Sequence, residues 1–140
     1  VSLVMECIFC GLIKSGTARW ITRGSSVAAF APLSPLAPGH TLVIPTDHYT
    51  DLFDAPPGLL ADAMALVQRL ATAMRTALGA GGVNMLHASG PNSEQSVPHL
   101  HLHVVPRWPA DGFSSWPTGR SHHHIAADPI ALLADALKDN

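Results

Sequence analysis

Ser96-Val97-Pro98-His99-Leu100-His101-Leu102-His103-Val104-Val105-Pro106-Arg107 is the stretch on which the fold turns. Three histidines alternate with aliphatic residues, and a period of two is that of a β-strand. On such a strand His99, His101 and His103 are expected on one face, with Leu100, Leu102 and Val104 entering the core on the other. Three imidazoles in a row are poor packing material, because each ring brings two nitrogens that need partners. Imidazole titrates near neutrality, attacks electrophiles and binds metals, so the row reads as a reaction centre.

The chain just before the row, Ser89-Gly90-Pro91-Asn92-Ser93-Glu94-Gln95-Ser96, is small, polar and turn-forming. Its backbone N–H groups and hydroxyls suit the wrapping of phosphate oxygens. Further upstream, 84–87 reads as a strand and 59–78 as the one long helix. Leu59, Ala63 or Met64, Leu66, Val67, Leu70, Met74 and Leu78 make its apolar stripe, and the glycines of 79–82 end it. A β-prone run covers 40–45, and the prolines of 32–39 make a rigid loop. Segments 19–22 and 27–31 form a hairpin turned by 23–26, and 8–14 forms a short helix. Beyond Arg107 the chain is irregular until Asp128, which caps a final helix running to Leu137 with Pro129 at its first position. The sum is an α+β fold, a mostly antiparallel sheet with one major helix.

With 140 residues, one domain is expected, its core about 6–107 and a C-terminal extension at 108–140. No uninterrupted apolar run approaches the ~20 residues of a membrane helix. A formal charge of −2 supplies no broad basic field, so no nucleic-acid polymer is expected as partner. The apolar start, 1–8, is broken by Glu6 and lacks a basic leader, which predicts no signal peptide and a cytoplasmic address. The only cysteines, Cys7 and Cys10, form a C-x-x-C that suits a metal or redox element in a reducing compartment. A thioredoxin-like role fits less well, since that motif follows a buried strand and opens a long helix. His122-His123-His124 is expected in an exposed polar loop.

These motifs together resemble the histidine triad (HIT) family of nucleotide hydrolases and transferases, whose pattern is His-φ-His-φ-His-φ-φ with φ apolar. His99-Leu100-His101-Leu102-His103-Val104-Val105 matches it throughout. Cys7-Ile8-Phe9-Cys10, the run Ala37-Pro38-Gly39-His40-Thr41-Leu42-Val43-Ile44-Pro45, His48 and Gln95-Ser96-Val97-Pro98 are also similar to the family. The resemblance implies a five-stranded antiparallel sheet with one long helix and short terminal helices. It also implies a homodimer whose sheets join into one, with the long helix contributing; covering its own sheet is the helix's other possible role. His101 is implied as the nucleophile on an α-phosphate, forming a nucleotidyl-histidine that water opens to a nucleoside monophosphate. His103 and His40 would contact the phosphate and orient the reacting groups, with Ser96 and Gln95 binding substrate. Strand parity alone supports His101 and His103 as neighbours and does not say which attacks. Structural Zn²⁺ held by Cys7, Cys10, His48 and His99 is implied, and no catalytic metal.

Three positions depart from the family's usual pattern. Pro32 stands where an Asp or Asn commonly meets the ribose hydroxyls, Ala88 where an Asn or Gln is common, and Glu94 where a Gly often precedes Gln95. They sustain an alternative reading, a catalytically weak nucleotide-binding or scaffold protein. A metal-dependent hydrolase using the histidine row is a further alternative, disfavoured because residues i and i+4 sit ~13 Å apart on an extended strand. His87 offers a replacement donor or a core ring. Trp108 and 111–117 are candidates to reach an active site, the partner's included, with Trp116 at a dimer surface as the competing reading.

Overall fold

The computed structural model describes residues 7–138; the apolar start read for a leader lies largely outside them. The element order is α1 (Ile8–Ser15), β1 (Trp20–Arg23), β2 (Val27–Phe30), β3 (Thr41–Pro45), α2 (Pro57–Leu78), β4 (Gly82–Leu86), β5 (Leu102–Arg107) and α3 (Pro129–Lys138). The strands form a five-stranded sheet in the order β1-β2-β3-β5-β4, and every pairing is antiparallel. This is the expected α+β architecture. The long helix begins at Pro57 because proline is well suited to the first helical position, where its missing N–H costs nothing.

Alternation along the strands gives the sheet two different faces. On one, Ala29, Val43, Leu102 and Val104 pack against Ala63, Leu66, Val67, Leu70 and Met74 of α2. On the other, Ala28, Phe30, Leu42 and Ile44 pack against Cys7 and Phe9 at the start of α1. Of the expected helical stripe, Met64 and Leu78 are instead about half exposed. Helix α1 covers only the β1–β3 part of its face. His40, His101 and His103 stand beside it, where the sheet is left open for a site.

The histidine row corrects one expectation. The strand starts only at Leu102, so His99 and His101 lie in the chain leading into it. Thr41 pairs with Val104 and Val43 with Leu102. Continuing that register would set Leu100 against Pro45, which has no N–H to share. The Leu100 N–H instead reaches the Tyr49 carbonyl at 2.7 Å, and the His99 N–H bonds the Val97 carbonyl at 2.8 Å. Leaving the ladder frees His99 to turn away from the other two rings. Strand β4 likewise ends at Leu86, one residue early, because His87 swings out to bond the His101 carbonyl.

Candidate active site and metal cluster

His101, His103 and Ser96 line one cavity of about 440 Å³, walled also by His87, Gln95 and Glu94. Hydrogen bonds assign the tautomers. His101 Nδ1 lies 2.8 Å from the His99 carbonyl. A carbonyl only accepts, so Nδ1 carries the proton and the lone pair sits on Nε2. The Leu36 N–H donates to His40 Nδ1 at 2.9 Å. His40 therefore holds its proton on Nε2 and donates it to His103 Nδ1, 2.9 Å away. His103 is left with an Nε2–H donor. The His101 and His103 rings stand 5.2 Å apart, which places a lone pair beside a hydrogen-bond donor.

Burial holds these rings neutral. Desolvation is the largest cause in each case, lowering His40 and His101 from the ordinary imidazole range. It pushes His103 down to about 4, with further lowering from His101, His40 and His87. Neutral imidazoles are the forms these hydrogen bonds require.

Cys7, Cys10, His48 and His99 come together as expected, their ligand atoms all within 4.8 Å of one another. Cys7 caps α1, its sulfur accepting the Cys10 N–H at 3.4 Å, so the C-x-x-C spacing turns both sulfurs to one point. His99 Nδ1 lies 3.4 Å from Cys7 Sγ and 3.5 Å from Cys10 Sγ, and His48 Nδ1 lies 3.2 Å from Cys10 Sγ. Zn–S and Zn–N bonds of about 2.3 and 2.0–2.1 Å in a tetrahedron put sulfur and nitrogen roughly 3.6 Å apart, so the donor set fits such an ion. His99 Nε2 donates to the Pro45 carbonyl at 3.0 Å, which leaves the Nδ1 lone pair turned toward the point the two sulfurs share, the form a metal ligand needs. Burial of the thiol, with Cys7 beside it, pushes Cys10 up to about 11. A cation bound there would draw the Cys10 sulfur into its thiolate form against that upward push.

The remaining expected residues divide. Ser96 is exposed to the cavity. Gln95 spends its amide on the backbone, accepting from the Gly90 N–H at 2.8 Å and donating to the Thr50 and Val97 carbonyls at 2.7 and 2.9 Å. Trp108 turns to the helix side, packing on the α2 cluster with its indole N–H on the Leu78 carbonyl at 3.3 Å. From 111–117 it is Ser115 that reaches the cavity, and of its own chain, while Trp116 is 78% exposed. His122, His123 and His124 are exposed.

Some participants carried no plain sequence signal. Phe9 sets its ring edge-on to both His99 and His101, at 5.8 and 5.3 Å, between the cluster and the cavity. His87, read from the sequence as a replacement donor or a core ring, lines the cavity and anchors the His101 carbonyl through Nδ1 at 2.9 Å, with the Ser89 hydroxyl at 2.6 Å from its Nε2. The Leu36 N–H was hidden in the proline-rich loop, where a backbone donor leaves no trace in residue type.

Comparison with known proteins agrees with this geometry. The HIT domain description matches residues 15–110. Adenosine 5'-monophosphoramidase HNT1 of Saccharomyces cerevisiae is 33% identical over 137 residues, 90% of this chain and 84% of that protein. A Zn-bound histidine triad family protein from Mycobacterium smegmatis superposes with a TM-score of 0.75 at 39% identity, covering 79% of this chain and 81% of the other. A HIT family protein from Bacillus anthracis covers 96% of each chain with a TM-score of 0.80 at 29% identity. With that description matched over most of its length and such relatives beside it, the chain belongs to the HIT family.

Proposed function

We propose that this chain is a nucleotide phosphoester or phosphoramidate hydrolase, or nucleotidyl transferase, working through a nucleotidyl-His101 intermediate. The observation that carries the reading is the pairing of a bare His101 Nε2 with the His103 Nε2–H donor in one cavity. Nε2 of His101 forms a bond to the α-phosphorus as the bond to the leaving group breaks. The leaving group keeps the electron pair and takes a proton from water relayed by the Ser96 hydroxyl. The hydroxide left by that water then attacks phosphorus, the P–N bond breaks with its electrons returning to Nε2, and a nucleoside monophosphate departs. His103 donates to a phosphate oxygen throughout, and His40 is a positioning residue that fixes the His103 tautomer. Gln95 acts by holding the loop that carries Ser96.

Zn²⁺ is the proposed occupant of the Cys7–Cys10–His48–His99 cluster, supported by its donor set and by the Zn-bound relative. Bound there, it cross-links α1 to the chain before β5 and so holds the His99 carbonyl that orients His101. No reaction step uses it. A homodimer is proposed as well, a second copy meeting the outer edge of β4, which has no strand partner among the described residues. No helix among the described residues is long and apolar enough to cross a membrane. A single domain in a reducing, cytoplasmic compartment completes the proposal. The test is release of nucleoside monophosphate from a nucleoside 5'-phosphoramidate and a dinucleoside polyphosphate, with EDTA present during the assay. Turnover that survives EDTA and is lost in His101→Ala is expected. Activity abolished by EDTA and restored by metal, or binding without turnover, would contradict the reading.

A further inference from the structure

Two spaces flank the His40–His103 pair, and they differ in chemistry. One is a groove of about 890 Å³ walled by Phe30, Pro32, Leu33, Ile8 and Trp20, suited to a flat apolar group such as a base. The other is the polar cavity of His101, His103 and Ser96, left for the phosphoryl group and whatever departs from it. No lysine or arginine lines that cavity, and Glu94 is its only acidic residue. A polyphosphate leaving group would meet no side-chain cation from these walls.

Glu94 is presented there by a held backbone. It sits at φ 68° in the left-handed region, which side chains other than glycine rarely adopt. Loop 90–95 that carries it is clamped by the Gln95 amide and by the Ser93 hydroxyl, which donates to the Gly90 carbonyl at 2.6 Å. The residue is exposed at the cavity wall, and no ion pair among the described residues neutralises its carboxylate. A bulky acidic residue in a conformation made for glycine, facing the site with its charge uncompensated, is a local cost of the kind kept at functional positions.

We propose that Glu94 selects the leaving group, favouring substrates whose departing amine carries a further positive charge and disfavouring anionic and polyphosphate leaving groups. The inference rests on the His101 reaction and adds to it the class of the departing group. A carboxylate at a solvent-exposed rim acts on a nearby charge with modest strength and in opposite senses for cation and anion.

The test is kcat/KM for three nucleoside 5'-phosphoramidates whose leaving amines are similar in size and end in an ammonium, a neutral amide or a carboxylate. The wild-type protein should prefer the ammonium to the carboxylate by roughly three- to tenfold at low ionic strength, a preference that shrinks as salt is added. Glu94→Gln should bring the ratio close to one, and Glu94→Lys should invert it. Glu94→Gly, relaxed at this φ, should match Glu94→Gln and so separates charge from any folding defect. A ratio unchanged in Glu94→Gln and Glu94→Gly while turnover persists would overturn the role of Glu94 and leave the His101 reaction standing. Failure of the wild-type protein to turn over any of the three would overturn that reaction and this inference with it.

Discussion

A chain of hydrogen bonds one proton deep decides what each histidine can do. The Leu36 N–H fixes His40, His40 fixes His103, and the His99 carbonyl fixes His101. Removing the middle link should matter although His40 need not touch the reacting bond. His40→Ala is expected to lower kcat by about 10- to 100-fold with little change in KM, because His103 loses the partner that holds its tautomer. An equal rise in KM with kcat preserved would count against it. The same bonds require neutral rings, and burial keeps His103 neutral down to about 4. The acid limb of kcat/KM should therefore fall below the ordinary imidazole range, with activity sustained as pH drops from 7 to 5. A limb centred at or above about 6.5 would show that the rings titrate as if exposed. Little of this was legible beforehand. Spacing grouped the three histidines, but tautomers depend on carbonyls and amide protons that every residue type carries alike.

Elements show where the period of a sequence is trustworthy and where a neighbour overrides it. The helical stripe of α2 buries Leu66, Val67, Leu70 and Met74 on the sheet much as its spacing requires. Leu70→Ala should cost about 2–5 kcal/mol, read as a shift in denaturant midpoint at constant slope; a loss under about 0.5 kcal/mol, the level of an ordinary surface substitution, would remove α2 from the core. The alternation of His-Leu-His-Leu-His predicted a strand for its whole length, yet only its second half joins the sheet. Pro45 across the ladder and Pro98 behind the row are the reason, and both were visible in the sequence without their registers. The departure is what divides the row: His99 serves the cysteine cluster and His101 with His103 the cavity. Cys10→Ser should accordingly lower the thermal midpoint and release bound metal, measured by elemental analysis beside a melting curve. A metal-free wild-type protein with the same midpoint as the variant would refute the cluster's role.

For the molecule as a whole, the open flank of the sheet and the exposed C-terminal helix set the remaining expectations. Ile130, Leu132, Leu133 and Leu137 of α3 are each more than half exposed, and β4 offers a free edge. Sedimentation should report a dimer, and a monomer at micromolar concentration would contradict the joined sheet. Stability should also respond to pH in a defined sense. His103 binds its proton at about 4 in the folded chain and near 6.5 when unfolded. Between those values the unfolded state holds more protons, so stability is present above about 6.5 and is lost as pH falls toward 4. Transfer of phosphorus to one particular nitrogen is a more local matter than either. Its most direct measurement is intact-mass spectrometry of the protein quenched during turnover of a nucleoside 5'-phosphoramidate. A mass increase of one nucleotidyl group is expected, mapped to His101 and absent in His101→Ala. An adduct that persists in His101→Ala, or turnover in which no adduct forms at any quench time, would contradict it.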